Sequence, residues 1–112
     1  MRFDKELLKG NTQTLLLAVL ADSPGHGYEL VERLRERSGG VFELGEGTLY
    51  PLLYKLEANG CIESQWQAGT GQRRRRVYRI TPTGRRQLHQ RTAQWRELVR
   101  GMHLILGGPA RA

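Results

Sequence analysis

Residues 47–60 read GTLYPLLYKLEANG, and the spacing of their leucines decides the fold. Leu49, Leu52, Leu53 and Leu56 follow the i, i+3, i+4, i+7 pattern that lines one face of a helix. At about 100° of rotation per residue, Gly47, Pro51, Tyr54 and Lys55 lie opposite that stripe, with Tyr50 on its flank. A phenol or an ammonium placed there meets solvent or a ligand. Pro51 is expected early in this helix, where a missing N–H costs least, and Asn59-Gly60 supplies the stop.

Upstream, TQTLLLAVLAD is almost continuously apolar from Leu15 to Leu20. Such a segment suits a helix buried on most sides, the centre of a core. SPGHG then reads as a turn, and YELVERLRERSGG as an amphipathic helix with Tyr28, Val31 and Leu34 on one side and Gly39-Gly40 as its end. Downstream the period falls from 3.6 to 2. CIESQWQ sets Ile62 and Trp66 against Glu63 and Gln65, AGTGQ is a glycine loop, and RRRVYRI alternates again through Tyr78 and Ile80, so this region reads as a β-hairpin. Three helices followed by a hairpin predict a mainly α fold with a small β-hairpin, a winged helix-turn-helix over residues 11–81. In that architecture the third helix is offered to the major groove, and the wing lies against the backbone or minor groove.

Charge supports a polyanionic partner. The 112-residue chain carries a net charge of +7, yet Met1 to Glu63 holds 7 basic and 10 acidic residues, against 11 and 1 from Ser64 to Ala112. Neutralising phosphates releases condensed counterions and gives sequence-independent affinity. The run Arg73, Arg74, Arg75, Arg76 repels itself unless an anion is near, and its guanidinium forks suit phosphate oxygens or a narrow minor groove.

Thr81-Pro82 has the form of an N-cap followed by proline at the first helical position, and no further proline occurs before residue 106. A helix over 82–106 spans about 37 Å, too long to lie wholly on so small a domain. Its positions Leu88, Thr92, Trp95, Val99, Met102 and Leu106 alternate steps of four and three, a heptad seam. Leu98 and Ile105 widen the stripe, and a projecting apolar stripe predicts a dimerisation helix. Residues 1–10 form either a short helix across the dimer or a disordered extension, and 107–112 read as a frayed tail.

The stretches LLLAVLADSPGHGYEL, GTLYPLLYKLEANGCIES, RRVYRITPTGRRQL and WRELV together resemble the PadR-type bacterial transcriptional regulators. The resemblance covers most of Leu15 to Val99 and points to the small subclass with one C-terminal helix. It implies a winged-helix homodimer that binds double-stranded DNA at a palindromic operator, usually repressing. Carried over to this chain, the DNA-contacting positions are Thr48, Tyr50, Tyr54 and Lys55 on the third helix and Arg73 through Arg76 in the wing. Tyr28 is near DNA in such relatives, although its spacing here also suits the core. A tryptophan placed like Trp95 stacks a planar aromatic effector between subunits in some relatives; plain interface packing is the other reading.

Other function classes fit less well. His26, His89 and His103 are not clustered, and no nucleophile–base constellation is present, so neither catalysis nor a metal or other cofactor is expected. His26, in its glycine turn, suits capping. Cys61 is the single cysteine and is expected to pack as a small hydrophobe. No apolar run approaches the ~20 residues of a membrane span, and MRFDKELLKG lacks a signal-peptide core, which predicts a cytoplasmic protein with no membrane partner. Two alternatives remain. A basic RNA- or ribosome-associated protein would share the charge, though the stacking motifs of the usual RNA modules are missing. A winged helix used only for protein contacts would show no salt-sensitive DNA affinity.

Overall fold

The computed structural model of the chain describes residues 8, 10–68 and 74–108. Along them run α1 (Thr12–Asp22), β1 (Gly25–His26), α2 (Gly27–Arg37), α3 (Glu46–Ala58), β2 (Ile62–Ala68), β3 (Arg74–Ile80) and α4 (Pro82–Leu106). The fold is the mainly helical winged helix expected, completed by the long C-terminal helix.

No residue from Asn11 through Ala21 is exposed, and Leu16, Leu17, Val19 and Leu20 are buried, so α1 is the core helix its unbroken apolar run predicts. It ends before Pro24, which forces Ser23 into an extended conformation. Around it pack Leu30 and Leu34 of α2, Leu44, and Leu49, Leu53 and Leu56 of α3, with Leu52 partly buried beside them. Both α2 and α3 end in a left-handed glycine, Gly39 at φ +62° and Gly60 at φ +78°. In each case the next N–H folds back onto the helix: Gly40 donates to the Arg35 carbonyl at 2.8 Å and Cys61 to that of Leu56 at 2.9 Å. Cys61 is therefore the buried residue just past a helix cap, in the packing role its solitude suggests.

Three expectations are corrected. Helix α3 begins at Glu46, so Pro51 is an interior residue rather than one of the first turn. The position tolerates it because Gly47, four residues earlier, is exposed, and the carbonyl that loses the Pro51 N–H stays open to water. SPGHG is not only a turn, since Gly25 and His26 pair with Tyr78 and Val77, giving a sheet ordered β1-β3-β2. Two residues are too few to show a period, and the strand exists only because β3 is there to pair with it. Tyr28 is 60% exposed and not core. It lies six residues, one and two-thirds turns, from Leu34, while the buried pair is Leu30 and Leu34 at i, i+4.

In the hairpin Ile62 pairs with Ile80, Ser64 with Tyr78, Trp66 with Arg76 and Ala68 with Arg74. The glycine loop between them, with Gly69, Gly71 and Arg73, lies outside the described residues, as do most of residues 1–10 and the tail from 109.

Thr81 joins β3 to α4 by a single residue. Its hydroxyl donates to the Gly60 carbonyl at 2.6 Å and accepts from the Gly84 N–H at 3.1 Å, the N-cap that Thr-Pro predicts. Gly84 is buried, and a β-carbon on it would run into the Cys61 carbonyl oxygen. The first turns of α4 lie on α1: Leu88 packs against the core, Arg91 donates to Gln13 Oε1 at 2.9 Å, and Arg85 reaches the Ala21 carbonyl at 3.4 Å. Beyond them α4 leaves the domain, and the molecule measures 55 × 30 × 23 Å.

Candidate nucleic-acid interface

The leucine stripe of α3 faces the core, and this turns Thr48, Tyr50, Tyr54 and Lys55 to solvent. Tyr54 is 76% exposed, so its ring serves no core purpose. Tyr50 is tied down. Its hydroxyl lies over Gly27, where a β-carbon would collide with the phenol, so the absence of a side chain at Gly27 lets the start of α2 close on α3. Exposed Tyr28 is the next residue in that first turn, which makes it part of the same surface.

His26 precedes Gly27 as the N-cap of α2, and its N–H donates to Glu29 Oε1 at 3.0 Å. The ring Nε2 stands 3.5 Å from Glu29 and 3.2 Å from Arg75 Nη1. The capping expectation for His26 is met, and the ring also links α2 to the wing.

The arginine run does not act as a block, because a strand sends alternate side chains to opposite faces. Arg74 and Arg76 lie on the side of Trp66, each guanidinium 5.5 Å from its ring centroid, a distance suited to cation–π attraction. Arg75 points the other way, toward His26. Arg76 is bound further. Its Nε donates to Ser64 Oγ at 2.8 Å, its Nη2 reaches Glu57 Oε1 at 3.4 Å, and Ser64 Oγ donates to Glu57 Oε2 at 2.6 Å. Tyr78 sits beneath, its ring centroid 6.0 Å from the Arg76 guanidinium. Burial pushes the Tyr78 phenol above the usual tyrosine range, with the Arg76 charge pulling weakly the other way. Glu57 and Ser64 had no signal in the sequence, since their partner lies on another element. Alternation sets Trp66 on the same face of β2 as buried Ile62, yet its ring is 56% exposed.

The heptad seam divides in two. Leu88 is spent on its own core, and Thr92 and Val99 are half-buried, whereas Trp95, Met102 and Leu106 are exposed. Leu98 and Ile105 flank them, Ile105 at 85% exposure. Where α4 leaves the domain, Trp95 and Thr92 close a concavity of about 370 Å³ with Leu8, Asn11, Thr14, Leu15 and Phe42. Among the described residues no three His, Cys, Asp or Glu side chains gather to hold a metal ion, and no helix is long and apolar enough to cross a membrane.

The family model described as "Transcriptional regulator PadR-like family" matches residues 16–90. Transcriptional regulator Rv3488 of Mycobacterium tuberculosis is 38% identical over 104 residues, spanning 93% of this chain and 91% of that protein. A transcriptional regulator from Clostridium thermocellum, 30% identical, superposes with a TM-score of 0.81 over 88% of this chain and 95% of its own. Bacillus subtilis PadR, solved in complex with operator DNA, shares the fold at 23% identity and a TM-score of 0.66, over 70% of this chain and 45% of that one. With the match running from within α1, through α3 and the β2–β3 hairpin, and into α4, the chain belongs to the PadR-like family of transcriptional regulators, proteins that are not enzymes.

Proposed function

We propose that this regulator is a homodimer that binds a palindromic operator, represses the adjoining genes and is released by a small aromatic compound. The observation that carries the reading is the exposed face of α3 set directly beside a basic wing. Residues 11–81 form the DNA-binding unit. Thr48, Tyr50, Tyr54 and Lys55 enter the major groove, and Arg74 and Arg75 lie along phosphates. Neither arginine is ion-paired to a carboxylate among the described residues.

The second copy covers the projecting part of α4. Trp95, Leu98, Met102 and Leu106 form an exposed apolar stripe, the kind of surface that marks a protein–protein contact. Pairing two such helices, residues 82–106, sets the two α3 helices about 34 Å apart, one turn of DNA.

Titration by fluorescence anisotropy against the protein's own upstream region and a random duplex, over a salt series, tests DNA recognition. Operator preference with a steep negative salt slope is expected. Equal affinity for RNA, or no salt-sensitive affinity for DNA, refutes the reading. Sedimentation should give a dimer at micromolar concentration that Val99→Asp converts to monomer.

The concavity beside Trp95 favours the effector. It is the right size for a small planar molecule, and Trp95 and Phe42 supply aromatic walls. Planar aromatic compounds should quench tryptophan emission, and Trp95→Ala should abolish the quenching while the dimer persists, with Trp66 as the remaining emitter. Quenching that survives Trp95→Ala assigns Trp95 to packing alone.

A further inference from the structure

Glu57 leaves α3 one turn after Tyr54 and meets the root of the wing. Its two carboxylate oxygens take Ser64 Oγ of β2 at 2.6 Å and Arg76 Nη2 of β3 at 3.4 Å, while Arg76 Nε closes the triangle on Ser64 at 2.8 Å. One helix residue thus engages both strands of the hairpin. The Trp66 ring covers the guanidinium from the cross-strand position. Arg76 lies on the inner face of the sheet by register, and its charge has a carboxylate partner, whereas Arg74 and Arg75 have none among the described residues.

We propose that Glu57 and Arg76 are positioning residues, a brace fixing the wing's angle to the recognition helix, and that Arg76 is not a phosphate contact. The proposal rests on the DNA-binding reading above. Its physical basis is that a guanidinium fork can serve a hydroxyl and a carboxylate at once, a geometry that sets direction as well as charge. With the brace intact, a phosphate held by Arg75 fixes how α3 lies in the groove. Without it the wing still attracts DNA, but α3 is no longer held in register with the bases.

The experiment measures operator and random-duplex affinity over a salt series for the full-length protein and four variants. Arg75→Ala is the reference for a phosphate contact and should flatten the salt slope by about 0.9 per subunit. Arg76→Ala should leave the slope unchanged and lower operator preference about tenfold, the equivalent of one lost base contact. Arg76→Lys keeps the charge without the fork and should behave like Arg76→Ala. Glu57→Gln should lower preference to the same degree, and in the Glu57→Gln/Arg76→Ala double variant the two losses should not add. An Arg76→Ala slope change matching that of Arg75→Ala overturns the brace, as does full operator preference in Arg76→Lys or additive losses in the double variant. If Arg75→Ala leaves the slope unchanged, the wing's phosphate role fails, while the brace is still decided by the preference losses and their non-additivity. Thermal unfolding of each variant accompanies the titrations, and a preference loss that appears only in unfolded protein overturns the proposal.

Discussion

Replacing Tyr54 and Lys55 together with alanine is expected to lower the preference for operator over random DNA by roughly 30-fold or more, since base contacts are typically worth about 1–3 kcal/mol each and two are removed. The fold should be indifferent. Tyr54 is almost wholly in solvent and Lys55 is exposed, while Leu49, Leu53 and Leu56 keep the core face of α3 intact. Competition titration at fixed salt, paired with a melting curve, separates the two effects. A folded double variant with undiminished preference moves the reading of sequence to Thr48, Tyr50, the wing or the shape of the DNA.

The second large effect is expected at Gly84. Its missing β-carbon leaves room for the Cys61 carbonyl and for the Ile80 side chain, and the obstacle is backbone that has no rotamer to yield. Gly84→Ala should therefore destabilise by about 1–3 kcal/mol, as overpacking does, and lower Tm on the order of 10 °C for a domain of this size. Gly47→Ala is the control. That position is also helical, but a β-carbon there meets nothing within 4 Å. It should keep or slightly raise Tm, because alanine favours the helix. An unchanged Tm in Gly84→Ala means that α4 stands too far from the Gly60-Cys61 turn for the new methyl to meet the Cys61 carbonyl.

Most of the architecture was legible in the sequence because the signals were local. The leucine ladder of α3, the unbroken apolar run of α1 and the Thr-Pro start of α4 each specify a helix within a few residues. The change of period at Cys61 announces the hairpin. What was illegible depends on partners far apart in the chain. β1 is two residues long and owes its existence to β3. Tyr28 looked apolar by proximity to Val31 and Leu34, although the helical angle sets it off the buried pair. The arginine run looked like one uniform charge, but strand alternation sends Arg75 toward His26 and Arg76 toward Ser64 and Glu57. In the heptad seam the spacing was visible, but not that Leu88 would be used by its own core.

The single residue between β3 and α4 gives the molecule the mechanics of a lever. Thr81 and Gly84 clamp that corner against Gly60 and Cys61, at the end of α3, so helix end, wing root and long helix share one fulcrum. Contacts to α1 extend the fulcrum as far as Arg91, so the free arm runs from Thr92 to Leu106, about 22 Å. A tilt of only about 5° at its root sweeps the far end through roughly 2 Å. Conversely, in the proposed dimer with the far ends held, a small change in how two α4 helices cross is returned at the fulcrum as rotation of the DNA-reading unit. In the proposed dimer, a small molecule lodged where α4 departs from α1 would push at the root of that arm, where a small displacement suffices to spoil a spacing that DNA tolerates poorly.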